Sequence, residues 1–332
     1  MTLVRLDPDV FLSRRRRKYL RRSGAVETAD EVIFAMTRDE CAVALSVHRA
    51  RTQTKRRHPV LLLHGLGANR FAYDLDASVS LPSHLASHGW DVYSLELRGH
   101  GRSQKTHRGK RWGWGTTEYM EQDFPAAVTA VLQHASAEAV HAIGHSMGGI
   151  VLHGACCAGE SRVRSAITLA SSVDYSGTPS VFHSLKGLVG LTEVLPAVPL
   201  GPLTRFMWPV ALAVPNAIDA VNVHAPNVDK KLYRRLVAVA FHGISSPVLR
   251  SLLKVMQPGG IPAATGFPVL SVCGTRDPQC HPDAAKRGVS EAVVMGRDRS
   301  CEHAYGHFDL LMGRNVQREV WPVLVEWLAA QD

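Results

Sequence analysis

Short apolar runs recur along this chain, separated by helix-like patterns, and this alternation limits the fold more than any other feature. The run "PVLLLHG" (59–65) ends in glycine, and its form is repeated by "WDVYSLELRG", "AVHAIGH", "SAITLAS", "FPVLSVCG" and, more weakly, "EAVVMG". Strands that are apolar on both faces and alternate with helices favour a mostly parallel sheet covered on both sides. The predicted fold class is therefore α/β.

Two other patterns complete the predicted elements. The runs "EVIFAMT" and "CAVALSVHR" flank "RDE" and predict an antiparallel hairpin before the first parallel strand. Apolar residues at helical spacing predict helices over 76–88, about 117–135, 147–159 and 314–330. Pro125 lies inside the second of these, so we expect the helix proper to begin there, where a first-turn proline is tolerated.

The alternation stops between residues 176 and 261, where proline, leucine and valine dominate and helical patterns follow. An insertion between two strands, on the side where parallel strands end, would cover the functional edge of the sheet. The sequence therefore predicts four segments: a basic N-terminal arm (1–29), a first portion of the core (30–175), a helical apolar lid (176–261) and a second portion of the core (262–332).

The net charge of +9 is concentrated near the N-terminus. Residues 1–57 hold 14 Lys and Arg against 7 Asp and Glu, whereas the remainder holds 24 against 22. The segment "RRRRKYLRR" (14–22) is either a solvated arm or a contact with anionic membrane lipids. In the second case, each basic residue near the surface would contribute about 1 kcal/mol to the free energy of membrane binding. Since no nucleic-acid-binding module accompanies it, nucleic acid is not a predicted partner.

Export and membrane insertion are not predicted. The best apolar stretch, "FMWPVALAVPNAIDAV" (206–221), is interrupted by two prolines and Asp219, and no signal core follows the arginines. The six cysteines lack the spacing of a disulfide framework, so we interpret them as reduced thiols. The predicted location is the cytoplasm, with peripheral contact at the inner face of the membrane as an alternative.

The stretch "AIGHSMGGIV" places Ser146 between Gly144 and Gly148, after a predicted strand and before a predicted helix. A tight turn between strand and helix exposes the serine hydroxyl at a sharp corner. Side chains at the flanking glycines would collide with the neighbouring strand and helix. The first turn of the helix also directs free backbone N–H groups at the site, where negative charge is favoured.

These residues resemble the α/β-hydrolase family over about residues 30–330. The resemblance depends on "LLLHGLGANR", "LRGHGRS", "GHSMGG", "CGTRDP" and "YGHFDLLMG", with the candidate residues in the order Ser, Asp, His that the family requires. The hairpin at 31–49 and the final stretch from Gly306 are similar to the acid-lipase branch and to bacterial and plant relatives. The implied fold is an α/β-hydrolase fold with the helical lid inserted before the strand that carries the acid.

The resemblance implies a role for each motif. Ser146 would be the nucleophile, His307 the base that takes its proton, and Asp277 the acid that orients the histidine. The oxyanion hole would be formed by backbone N–H groups, and the turn and loop around it by small or supporting residues. The residues whose N–H groups would form the oxyanion hole are Leu66 and Met147. The residues that would support the turn and the loop are His64, Gly65, Gly144 and Gly148.

Several residues compete for these roles. Asp283 is the nearest alternative acid, and His303 and His281 are the alternative bases. His145, next to the serine, is expected to support the turn by packing and not to act as the base. Asp309 is interpreted as a brace for the loop of His307. Asp277 could also cap a helix, and Ser146 could be a turn serine in an inactive relative.

A metal centre is weighed and not predicted. Cys280, His281, Cys301 and His303 are potential zinc ligands, but their spacing matches no common zinc finger. No metal and no other cofactor is therefore expected.

The predicted activity is hydrolysis of carboxylic esters with an apolar acyl group, through an acyl-enzyme. Residues 181–215 are apolar and nearly uncharged, which suits a lipid or small-molecule ester better than a sugar or peptide. Two alternatives stay open: an acyltransferase or thioesterase with the same triad, and a non-catalytic protein of this fold that binds an apolar ligand or a membrane.

Overall fold

The computed structural model describes residues 4–6, 28–105, 111–183, 189–207, 210–213, 217–255 and 257–332. The basic segment 14–22 lies outside the described residues, as does most of the predicted N-terminal arm.

A nine-stranded sheet forms the centre of the described residues. The strands of the chain are β1 (Val4–Leu6), β2 (Glu31–Met36), β3 (Ala42–His48), β4 (Val60–Leu63), β5 (Val92–Glu96), β6 (Val140–His145), β7 (Val163–Leu169), β8 (Ala197–Val198), β9 (Ile244–Ser245), β10 (Val269–Gly274) and β11 (Glu291–Met295). The order in the sheet is β1-β2-β3-β5-β4-β6-β7-β10-β11. Strands β1, β2, β3 and β5 pair antiparallel in that order, and every pair from β5 to β11 is parallel. The predicted hairpin and the predicted parallel sheet are both confirmed.

Helices connect the strands and cover the sheet. They are α1 (Leu81–Ser87), α2 (Thr116–Glu118), α3 (Phe124–Ala135), α4 (Met147–Cys157), α5 (Val189–Val194), α6 (Leu200–Met207), α7 (Ala217–Asn222), α8 (Lys230–Val239), α9 (Ser246–Val255), α10 (Pro282–Ala285), α11 (Asp309–Met312), α12 (Val316–Glu319) and α13 (Trp321–Gln331). Short 3-10 helices cover Arg70–Ala72, Ala225–Asn227 and Arg297–Arg299, and a π-helical turn covers Tyr119–Asp123.

The two faces of the sheet are buried against two separate hydrophobic clusters. In β4, Val60 and Leu62 belong to one cluster, whereas Leu61 and Leu63 belong to the other. Successive side chains of a strand point to opposite faces, so an all-apolar strand needs a core on each side. This is why the central strands are continuous apolar runs and do not alternate with polar residues.

One predicted helix boundary is wrong. Helix α1 begins at Leu81 and not at residue 76, because the hydroxyl of Ser80 accepts the N–H of Ser83 and caps the helix there. The prediction of a helix over about 117–135 is confirmed, since helical residues begin at Thr116 and α3 begins at Phe124 with Pro125 in its first turn. The intervening π turn widens the helix, since the N–H of Phe124 bonds the carbonyl of Tyr119 five residues earlier.

Five described helices, α5 to α9, and the strand pair β8–β9 occupy the chain between β7 and β10. We call residues 176–261 the insertion. Its β9 end lies against the loop after β4, where the N–H of His242 donates to the carbonyl of Gly67 at 2.7 Å. In the portion of the chain that the structure describes, no helix has both the length and the apolarity to cross a membrane.

Candidate active site

Ser146 lies at the carboxyl end of β6, directly before helix α4. Its backbone has φ 53° and ψ −122°, a combination that is sparsely populated for a residue with a side chain and costs roughly 1–3 kcal/mol. The N–H of Ser146 donates to the carbonyl of Leu169 at the end of β7, which holds the turn in place. The strained turn thus lifts the serine away from the sheet at its carboxyl edge.

The glycines on either side of Ser146 leave no room for a side chain. A Cβ on Gly148 would lie 2.2 Å from the carbonyl oxygen of Leu63, and one on Gly144 would lie 2.5 Å from a backbone nitrogen of α4. Both obstacles are backbone atoms, which cannot rotate aside. Close approach of strand, turn and helix therefore requires glycine at both positions.

His307 and Asp277 come together although 30 residues separate them. Nδ1 of His307 donates to Oδ2 of Asp277 at 2.8 Å, and both side chains are buried. The other carboxylate oxygen of Asp277 accepts the N–H groups of Gln279 at 2.8 Å and Cys280 at 3.0 Å. With Nδ1 protonated by this bond, a neutral His307 presents a lone pair at Nε2.

His145 supports this histidine from the other side. Its ring lies 4.7 Å from the ring of His307, and its Nε2 lies 3.2 Å from the carbonyl oxygen of His307. Burial and the neighbouring His307 hold the pKa of His145 well below its usual value. The neutral ring therefore donates to the backbone of His307 and fixes the loop that carries it.

The predicted oxyanion loop lies against the serine turn. A Cβ on Gly65 would lie 3.1 Å from Cβ of Ser146, so loop and turn are in direct contact. His64 anchors the loop, since its Nδ1 bonds the carbonyl of Gly65 at 2.9 Å and its Nε2 accepts the N–H of Leu97 at 3.2 Å. Burial lowers the pKa of His64, which keeps the ring neutral and able to make both bonds. Leu66 follows Gly65, and Met147, directly after the serine, is the first residue of α4.

The competing residues lie elsewhere. Asp283 is on α10 with its side chain largely exposed, and His281 caps that helix by accepting the N–H of Asp283. His303 contacts the carboxylate of Glu302 at 3.5 Å. Only His307 of these histidines bonds Asp277 in the described residues.

Cys280, His281, Cys301 and His303 do not form a metal-binding cluster. Within the described ranges, the only group of His, Cys, Asp or Glu close enough to share an ion contains none of these four residues.

Asp309 joins the loop of His307 to the insertion. Its buried carboxylate accepts the N–H of Gly306 and the backbone N–H of His224 at 3.1 Å, and it also accepts the side-chain N–H of Asn227 at 3.2 Å. The interpretation of Asp309 as a brace is confirmed by these bonds. Burial raises its pKa to about 7, against the opposing effect of the three donors.

A second junction, not foreseen from the sequence, links the insertion to the oxyanion loop. The side-chain amide of Asn69 donates to the carbonyl of Val239 at 3.0 Å and to Nε2 of His242 at 2.9 Å. Leu200 and Ile244 fill the space beside Gly67. No local pattern indicates these contacts, because the partners are about 170 residues apart.

Comparisons with known proteins place the fold in a family. Residues 58–289 match the family described as the alpha/beta hydrolase fold. A triacylglycerol lipase of Pseudarthrobacter phenanthrenivorans is 35% identical over 133 residues, which is 39% of this chain and 35% of that protein. A triacylglycerol lipase of Burkholderia plantarii is also 35% identical over 133 residues, covering 39% of this chain and 32% of its own length. The matched stretch therefore spans only about a third of these relatives.

Solved structures agree on the fold. A thermophilic esterase from Thermogutta terrifontis superimposes with a TM-score of 0.59 at 17% identity, over 90% of this chain and 98% of its own. A monoacylglycerol lipase from Paleococcus ferrophilus gives a TM-score of 0.57 at 18% identity, over 87% and 99%. At such identities the likeness concerns the fold alone.

The raised pKa of Asp309 predicts a pH-dependent stability difference for Asp309→Asn. The folded chain holds the proton more tightly than the unfolded chain, so the stability contributed by this carboxyl is lost as pH rises from about 4 toward the folded value of about 7. We expect the free energy of unfolding of Asp309→Asn, relative to wild type, to rise between pH 5 and about 7 by at most about 1.4 kcal/mol per pH unit and to level off above that. Urea unfolding at several pH values measures this difference in the free energy of unfolding. The control is Asp298→Asn, which changes an exposed carboxyl. A difference that stays flat with pH would contradict this origin.

Proposed function

This chain belongs to the alpha/beta hydrolase fold family, and from that premise we propose that it is a serine hydrolase that cleaves carboxylic esters with an apolar acyl group. The observation that supports this most directly is the buried hydrogen bond between His307 and Asp277, at the same sheet edge as the strained turn of Ser146. The two triacylglycerol lipases that are 35% identical over 133 residues agree with this reaction class.

In the proposed first step, Oγ of Ser146 attacks the ester carbonyl carbon and its proton passes to Nε2 of His307. The negative charge moves to the carbonyl oxygen, where the N–H groups of Leu66 and Met147 receive it. Loss of one such donor typically costs about 3 kcal/mol of transition-state stabilisation. The imidazolium then gives its proton to the departing alcohol, and an acyl-enzyme remains on Ser146.

In the second step, water takes the place of the alcohol. His307 removes a proton from the water, which attacks the acyl carbonyl and forms the same kind of oxyanion. Collapse releases the carboxylic acid and returns the proton to Ser146. Asp277 stabilises the cationic imidazole in both steps without taking its proton.

The insertion supports an apolar substrate. Exposed large apolar side chains in the described residues are Met36 on β2 and five in the insertion, namely Val194, Leu195, Leu203, Phe206 and Val210. Val194 and Phe206 are 81% and 80% exposed. The concentration of exposed apolar side chains in one segment favours contact with a lipid or another apolar partner.

We infer that the insertion is a lid over the site and that its outer apolar face meets the lipid ester. The inner face of the insertion bonds the oxyanion loop through His242 and the loop of His307 through Asn227 and Asp309. A lid fixed at both points would keep water from the acyl group while its exposed face contacts the aggregated substrate. The basic arm 14–22 would add electrostatic attraction where that surface is anionic.

Substitutions in the proposed triad test the reaction. Hydrolysis of p-nitrophenyl esters, from acetate to dodecanoate, is expected to fall at least about 10³-fold in Ser146→Ala and in His307→Ala, and by up to about 10⁴-fold in Asp277→Asn, which favours the wrong tautomer. His303→Ala is the matched histidine control and should keep kcat within about twofold.

Hydrolysis that survives Ser146→Ala would exclude this serine as the nucleophile. Activity lost in His303→Ala but kept in His307→Ala would assign the base to His303. Circular dichroism and thermal unfolding of each variant separate a lost reaction from a lost fold.

The exposed face of the lid predicts a substrate-dependent effect for Phe206→Ser. Removing a phenyl ring that inserts into a lipid surface costs about 1.5–3 kcal/mol, so we expect hydrolysis of an emulsified long-chain ester to slow by about 10- to 150-fold. Hydrolysis of soluble p-nitrophenyl acetate should stay unchanged. Met36→Ser removes an exposed apolar side chain outside the insertion and serves as the control. Equal losses on both substrates would contradict an interfacial role for Phe206.

A further inference from the structure

A cluster of potential metal ligands lies at the opposite edge of the sheet from Ser146. His58 precedes β4, His141 is near the start of β6, and Asp332 follows α13. His141 and Ser146 are five residues apart along one strand direction, which corresponds to about 16 Å at about 3.3 Å per residue. The cluster is therefore separate from the proposed catalytic residues.

The three ligand atoms are close to the spacing that a tetrahedral ion requires. Nδ1 of His58 and Nε2 of His141 each lie 3.3 Å from Oδ1 of Asp332, and all three atoms lie within 4.8 Å of one another. Bonds of about 2.0–2.1 Å to a tetrahedral Zn²⁺ place neighbouring ligand atoms about 3.3 Å apart. Two of the three separations already match, and the third, between the two imidazole nitrogens, is at most 4.8 Å.

The surrounding contacts fix the orientation of two ligands. Nδ1 of His141 bonds the buried hydroxyl of Ser165 at 2.7 Å, which turns Nε2 toward Asp332. The carboxylate of Asp332 accepts the backbone N–H groups of Arg57 at 3.1 Å and His58 at 3.0 Å. A partner on the far nitrogen of a ligating histidine is the usual outer contact of a metal site.

The donor set selects the kind of ion. Two imidazole nitrogens and one carboxylate oxygen suit zinc and its neighbours in the transition series, whereas Mg²⁺ and Ca²⁺ prefer oxygen ligands alone. Three protein ligands leave the fourth position of a tetrahedral ion for water. His141 is fully buried and His58 nearly so, and the side chain of Asp332 is 10% exposed.

We propose that His58, His141 and Asp332 bind one divalent transition-metal ion, with zinc as the preferred ion, and that this ion ties the end of α13 to the amino edge of β4 and β6. The ligands are contributed by three distant regions of the chain, so the ion would cross-link the first and second portions of the core. Arg164, whose guanidinium donates to the carbonyl of Gln331, is exposed there, and solvent screens its charge.

The test is metal binding by the full chain, prepared without a histidine tag and freed of metal with a chelator. Titration with Zn²⁺ is expected to show one site with a dissociation constant in the low micromolar range or tighter. Co²⁺ should give the intense visible absorption of a four-coordinate ion. Saturating Zn²⁺ should raise the melting temperature by about 5 °C.

Variants locate the site. His58→Gln and Asp332→Asn should weaken binding by more than tenfold and remove the thermal shift, and Ser165→Ala should weaken it by about tenfold. Glu138→Gln removes an exposed carboxylate that pairs with Arg57 near the same edge, and it should change nothing. Far-UV circular dichroism of the metal-free variants verifies that they are folded.

A second control addresses another pair of adjacent histidines that could bind zinc. His84 and His88 lie one turn apart on and after α1, with ring centroids 4.5 Å apart. Binding that is lost in His88→Gln and kept in His58→Gln would overturn the proposal. Failure of wild type to bind one ion would also overturn it, whatever the outcome of the ester assays.

Discussion

The buried hydrogen bond between Asp277 and His307 is the interaction on which the proposed chemistry depends. One oxygen of the Asp277 carboxylate accepts a hydrogen bond from Nδ1–H of His307 at 2.8 Å, and the other oxygen accepts hydrogen bonds from two backbone N–H groups. This bond fixes which nitrogen of His307 is free. Asp277 follows β10 and His307 follows β11, and these strands pair in parallel, so both residues lie at the edge where the carboxyl ends of the strands meet.

The insertion is joined to this edge at two points, and both joints are polar and buried. Asn69 and His242 link it to the oxyanion loop, and Asp309 links it to the loop of His307. A movement of the insertion would therefore act on the oxyanion loop and on the histidine together. The same segment carries the exposed apolar side chains. A shift of the insertion on contact with lipid would therefore be transmitted to both loops through these hydrogen bonds.

Much of the fold could be predicted from the sequence. Strands that are apolar on both faces predicted the mostly parallel sheet, and two strand-like runs around a short polar turn predicted the hairpin. The start of α1 was predicted too early and the π turn was not predicted, because a serine cap and a π turn are local details that apolar periodicity does not register. The motifs and their order indicated Ser146, Asp277 and His307 without their geometry. The contacts of Asp309 with His224 and the cluster around Asp332 join residues far apart in the chain, so they emerge only when the sheet is assembled.

The most direct test of the central claim is reaction of the protein with a fluorophosphonate probe, followed by intact-mass measurement and peptide mapping. One adduct per chain is predicted, located on Ser146, with labelling abolished in Ser146→Ala and strongly slowed in His307→Ala. A native chain that stays unlabelled, or an adduct on another residue, would contradict the assignment of Ser146 as a nucleophile activated by the pair of His307 and Asp277.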